Sequence, residues 1–130
     1  MLLASALLHL VIIALLIGHL RKKDHFANHR TGNYKFLMLC AVILTIIGSH
    51  TLQIYLNATV LWLMGALPDY AISIYYTLVT YTTTGYGDVV LDSEFHVMGA
   101  MISVTGIVMF GVTTAFLVDL FSRLMGENTS

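Results

Sequence analysis

Thr82-Thr83-Thr84-Gly85-Tyr86-Gly87-Asp88 is the stretch on which the reading of this chain turns. On its own it is ambiguous: Gly-Tyr-Gly is a common turn, and three threonines suit a β-strand. Its surroundings argue against both. The stretch follows Tyr70–Tyr81, a segment only about 18 Å long as a helix at 1.5 Å per residue. Pro68-Asp69 is a helix-start signal, with Asp69 able to cap the free amides of the first turn. A helix of that length reaches half-way through a bilayer. Polar backbone that stops there is tolerated only where it is buried in protein or lines water.

Outward from the stretch the chain is apolar. Of its 130 residues 58% are hydrophobic and 10% charged, with mean hydropathy +0.84, which marks a membrane protein. One Pro and one Cys leave no disulfide framework, and Cys40 is read as a packing residue in an apolar run. No internal repeat or long linker divides the chain, so one membrane domain is expected. Leu2–Leu20 is just long enough to cross. A signal peptide would carry its positive charge before the apolar run. Here Arg21, Lys22 and Lys23 come after it, which favours a retained span. His9 interrupts that span, either as a polar packing residue or as a proton-responsive one. In the basic stretch that follows, His25 and His29 lie four apart, a weak metal signal without a third ligand. Phe36 to about Leu56 reads as the second span. In it Gly48 and Ser49 allow close helix approach, and His50 faces protein. Trp62 suits the outer membrane interface. Asn57-Ala58-Thr59 matches a glycosylation sequon, a pattern that short sequences meet by chance. Phe95 to about Leu124 is the last apolar segment, roughly 45 Å as a helix, longer than the ~30 Å hydrocarbon core.

A half-span helix followed by Thr83-Thr84-Gly85-Tyr86-Gly87-Asp88 resembles the pore loop of potassium channels, whose signature is Thr-Val-Gly-Tyr-Gly-Asp. In that family four loops turn backbone carbonyls toward a central axis, replacing the water of a dehydrated ion. Successive carbonyls point one way only if alternate residues adopt left-handed dihedrals, which Gly85 and Gly87 do without steric cost. The resemblance implies that Thr83, Thr84, Gly85 and Tyr86 coordinate K⁺ with Gly87 completing the filter, and that the Thr83 hydroxyl closes its inner end. It implies that Tyr86 points away from the ions, that Tyr75 and Tyr76 brace it, and that Asp88 anchors the loop, with Tyr75 as its partner. Three departures stand out. Thr84 replaces the usual Val or Ile, Val79 stands where some members carry Glu, and the Pro that usually follows the Asp is missing near Leu91.

Gly106-Ile107-Val108-Met109-Phe110-Gly111 resembles the family's inner helix. Gly106 is the first hinge candidate and Gly111 the second; both glycines can equally serve close packing. Helical spacing aligns Ile107, Phe110, Thr114 and Val118 as a pore-lining stripe, with Asp119 beside it. Asp119 can collect cations at the inner mouth or pair with Arg123 four residues on, and the pair is the preferred reading.

The six basic residues Arg21, Lys22, Lys23, Arg30, Lys35 and Arg123 fall on one side if the chain spans three times, and that side should be cytoplasmic. Asp69, Asp88, Asp92 and Glu94 then face outward, as an acidic vestibule that concentrates cations. The expectation is an all-α membrane protein: three transmembrane helices plus a re-entrant pore helix and filter loop, assembled as a fourfold tetramer. Residues 1–20 form the first span, 21–35 a basic cytoplasmic loop and 36–130 the pore domain. Within the pore domain the outer helix is 36–66, the pore helix 69–82, the filter 83–88 and the inner helix 95–124. The chain is expected to be a multi-pass protein of the plasma or inner membrane, N-terminus outside and C-terminus cytoplasmic. Its expected function is passive, potassium-selective conduction, not enzymatic, with no cofactor and K⁺ as the permeant ion. Partners are three further copies of the chain, the lipid bilayer and K⁺; no nucleic acid is expected, and an unidentified regulatory partner is left open. The alternatives are a non-selective cation channel and a non-conducting subunit of a larger transport complex.

Overall fold

The computed structural model describes residues 2–24 and 32–126, and among these every regular element is helical. His25 and His29 therefore lie outside the described residues, as do the side chains of Arg21, Lys22, Lys23, Arg30, Lys35 and Arg123. Four helices follow in order: α1 (Leu2–Asp24), α2 (Gly32–Leu63), α3 (Tyr70–Tyr81) and α4 (His96–Gly126), the last preceded by a single 3₁₀ turn at Ser93–Phe95. Phe36–Leu63 and Ser93–Ser122 are long and apolar enough to cross a membrane. The described apolar part of α1, Ala6–His19, is shorter than that.

The helix ends have local causes. α2 stops at Leu63, short of residue 66, because Gly65 takes a left-handed φ of 72°. Its amide bonds the Trp62 carbonyl and the Ala66 amide bonds the Leu61 carbonyl, both at 3.0 Å. This is a Schellman cap, and it needs glycine at that position. The short turn that follows brings the chain to Asp69, whose Oδ1 accepts from the amides of Ala71 at 2.7 Å and Ile72 at 3.3 Å. α3 thus starts on a capped end and returns along α2. Trp62 stacks edge-on against Tyr70 at 5.5 Å, pinning the turn.

Packing divides into two apolar clusters. One joins α2, α3 and α4 through Ile54, Leu61, Leu67, Tyr81, Leu91 and Ile102. The other joins α1, α2 and α4 through Ile13, Val42, Ile46 and Leu120. A buried polar layer of His9, Ser49, His50 and Thr113 lies where the two meet.

Candidate functional site: the loop at the end of the half-span helix

α3 carries the loop, and its last turn sets the loop's path. The Thr82 amide and hydroxyl both bond the Leu78 carbonyl, at 3.0 and 2.8 Å. The Thr83 amide then bonds the Thr80 carbonyl at 3.0 Å, and the Thr84 amide the Val79 carbonyl at 2.9 Å. These bonds use up carbonyls that an ending helix leaves orphaned. Ser103 on α4 donates to the Thr80 carbonyl at 3.0 Å, tying the end of α3 to the last helix.

Beyond that point the backbone alternates. φ is +59° at Thr83, +58° at Gly85 and +76° at Gly87. Glycine takes such angles freely, but a β-branched residue does so only when its surroundings hold it there. Thr83 is therefore a strained position in a segment that lacks the spacing of a strand or a simple turn. The Thr84 hydroxyl turns back onto the Thr82 hydroxyl at 2.9 Å, which occupies the polar group that replaces the usual aliphatic side chain. Val79 lines a cavity of about 210 Å³ behind the loop, together with Tyr75, Tyr76 and Asp88.

Asp88 closes the loop. Its Oδ2 accepts from the Tyr75 hydroxyl at 2.6 Å and its Oδ1 from the Val89 amide at 3.1 Å. The Tyr75–Asp88 contact therefore spans from the middle of α3 to the loop's far end. Tyr76 turns the other way, toward Gly99 on α4, where a Cβ would collide with its hydroxyl. Tyr86 is 71% exposed and makes no ring contact within the described residues of one chain.

On α4, Ile107, Gly111, Thr114, Val118 and Asp119 are exposed. Phe110 is 40% exposed, but its ring packs against His50 at 4.8 Å and Tyr81 at 5.6 Å, so part of it faces the chain's own interior. Gly106 and Gly111 differ sharply. A Cβ at Gly106 would overlap the backbone carbonyl oxygen of Tyr81, whereas one at Gly111 would meet nothing within 4 Å. Gly106 is thus the point at which α4 lies against the base of the loop. The side chain of Arg123, the expected partner of Asp119, lies outside the described residues.

A family model described as "Ion channel" matches residues 38–123, which takes in most of α2, all of α3, the loop and nearly all of α4. The chain belongs to the ion channel family. The match is to its two-span pore type, and α1 lies outside it. Neither a curated protein nor a solved structure matches the chain. As an ion channel family member it is a membrane protein, and the loop between its two long apolar helices is the natural candidate for the ion path.

Sequence reasoning missed two groups of residues. One is Ser103, whose role depends on where α4 crosses α3. The other is a seam of polar residues at four-residue spacing, Gln53 and Asn57 on α2 facing Ser73, Thr77 and Tyr81 on α3, all fully buried. Polar residues at helical spacing within apolar segments were the available signal. Asn57 Nδ2 donates to the Gln53 carbonyl at 2.9 Å, while both Gln53 amide atoms, Asn57 Oδ1 and Thr77 Oγ1 lack a well-formed hydrogen bond among the described residues.

Proposed function

We propose that four copies of this chain form a potassium-selective channel that conducts K⁺ passively across the cell membrane. The chain crosses the membrane three times in this reading, with α1 as the first span, the N-terminus outside and the C-terminus cytoplasmic. The carbonyls of Thr83, Thr84, Gly85 and Tyr86 coordinate the ion, with Gly87 completing the filter. The pore helix sets its carboxyl end, the negative end of its dipole, toward the ion path. Ile107, Thr114 and Val118 line the inner pore, and Asp119 sits near its mouth. The protein needs no cofactor and catalyses no reaction.

One observation carries the proposal: left-handed backbone at alternate residues 83, 85 and 87, at the end of a helix that crosses only half a bilayer. With that alternation, successive carbonyls face one way, and a fourfold ring of them supplies the oxygens a bare cation requires. Replacing Gly85 with Ala tests it cleanly. A Cβ there meets only the Thr83 carbonyl oxygen, at 4.0 Å, so the substitution spares packing and acts on the φ of +58°. K⁺ flux into liposomes is expected to vanish in Gly85→Ala, with the tetramer intact. Undiminished flux would refute the filter assignment. The K⁺ to Na⁺ flux ratio of the unaltered protein separates a selective channel from a non-selective one.

A further inference from the structure

His9 and His50 lie on different helices, 41 residues apart, and their rings approach to 4.6 Å in the protein interior. His9 is fully buried and His50 nearly so. Both Nε2 atoms converge on one hydroxyl, that of Thr113 on α4, at 3.2 Å from His9 and 3.0 Å from His50. The Nδ1 atoms reach outward in opposite directions, His9 to the Ser49 hydroxyl at 2.7 Å and His50 to the Tyr81 hydroxyl at 2.9 Å. The result is one unbranched chain, Ser49–His9–Thr113–His50–Tyr81, drawn from all four helices. It ends on the last residue of α3, two positions before Thr83, where the proposed filter begins.

Proton counting gives this chain a definite capacity. A hydroxyl has one hydrogen, and that of Thr113 faces two imidazole nitrogens. With both rings neutral, one Nε2 donates to Thr113 and the other accepts from it, so all the bonds point the same way along the chain. Add one proton and every bond survives. A charged His50 donates to both Tyr81 and Thr113, Thr113 donates to His9, and His9 donates to Ser49. The displaced Tyr81 hydrogen needs a new acceptor. The Gln53 side chain is fully buried and reaches the Tyr81 hydroxyl, and its amide oxygen, which makes no hydrogen bond among the described residues, can accept that hydrogen once the amide turns over. A second proton would leave the Thr113 hydrogen without an acceptor and set two like charges side by side. The site holds one proton per chain.

Among the described residues, the titratable groups that face His50 are His9 from α1 and Tyr81 from α3. α4 brings Thr113 and Phe110, and α2 itself brings Ser49 and Gln53, none of which titrates. Asp119 lies six positions further along α4, about 9 Å away by helix rise. A proton gained here therefore adds a positive charge behind the base of the loop, with no carboxylate hydrogen-bonded to either ring among the described residues.

We propose that His9 and His50 form a proton-binding site that closes the channel when charged, with α1 acting as the regulatory element. The gating half of this proposal rests on the conduction argued above; proton binding stands without it. A unit charge at roughly 10 Å, in a medium of effective dielectric near 20, disfavours a cation by about tenfold. K⁺ flux is therefore expected to fall about tenfold for the first proton bound and further as the other chains take up theirs.

The test uses full-length protein in lipid bilayers. ¹⁵N-histidine NMR between pH 4.5 and 8.5 should show the two buried rings, assigned by His9→Gln and His50→Gln, taking up one proton between them. K⁺ flux should fall over the same pH range. The fall should disappear in the double His→Gln variant, persist in Thr113→Ser, and shift its midpoint in Thr113→Val. Two results would overturn the proposal: rings that stay neutral throughout or take two protons, or a pH response that survives the double variant. If no ion passes at any pH, the channel reading fails, and the NMR titration still decides the proton site. If flux is robust but indifferent to pH, only the gating fails.

Discussion

The two apolar clusters solve the same packing problem with different helices. In the outer one, α2 and α4 are bridged by α3. But α3 has 12 residues and ends half-way, so below it α2 and α4 have no third element from the pore domain. The lower cluster is filled by α1, through Ile13, Leu16 and Ile17. Each cluster is thus three-helical, with α1 taking over where α3 stops. The difference lies at the handover. The end of α3 brings a tyrosine hydroxyl and used-up carbonyls; His50 of α2 meets the hydroxyl, and α1 adds a histidine and not a leucine to the same polar layer, bonded to Ser49 and Thr113. A helix that ends among apolar neighbours leaves polar groups to be matched, and here they are matched from the neighbouring helices.

Removing α1 breaks this comparison most severely. A chain starting at residue 32 should keep its outer cluster but lose the lower one and leave Ser49 and Thr113 without His9. It should melt well below the full-length protein in a detergent thermostability assay, by more than any single substitution. Next come the two leucines. Leu61 is wholly buried in the outer cluster, and Leu61→Ala should cost about 4 kcal/mol; Leu120→Ala, in the lower cluster, should cost about 2 kcal/mol because lipid and α1 can close on the gap. Equal losses would mean that both clusters are packed alike. The contrast between glycines is of similar size. Gly106→Ala forces α4 away from the Tyr81 carbonyl and should cost about 3 kcal/mol per chain at most, with conduction lost; Gly111→Ala should leave stability within about 0.5 kcal/mol. If Gly111→Ala nonetheless blocks opening in single-channel recordings, Gly111 is the hinge and Gly106 the packing contact. The smallest effect is that of Ser103→Ala, which removes one hydrogen bond to the end of α3 and should cost about 1 kcal/mol, read as a modest fall in melting temperature.

Much of the fold was legible in the chain because its signals are local. Asp69 caps the helix that it precedes, and that helix ends at Tyr81, where the threonines and glycines begin. The end of α2 was misjudged by a few residues because Gly65, which terminates it through a left-handed turn, was not given weight. The Tyr75–Asp88 contact came from family resemblance, and spacing alone could not supply it. Phe110 was assigned to a stripe by periodicity, but periodicity places a residue on a face without saying what stands opposite. In the fold His50 and Tyr81 stand there, and its ring is shared between them and the open side.

The sequence by itself determined that this is a membrane protein, and that a short capped helix delivers a glycine-alternating loop, because length, hydropathy and backbone preference act between near neighbours. Only the tertiary structure decided which glycine is pressed against a carbonyl and which stands in open space. It alone joined His9, His50 and Thr113 into one chain of hydrogen bonds. Those outcomes depend on distances between segments tens of residues apart, and such distances are set by how four helices of unequal length fill space against one another.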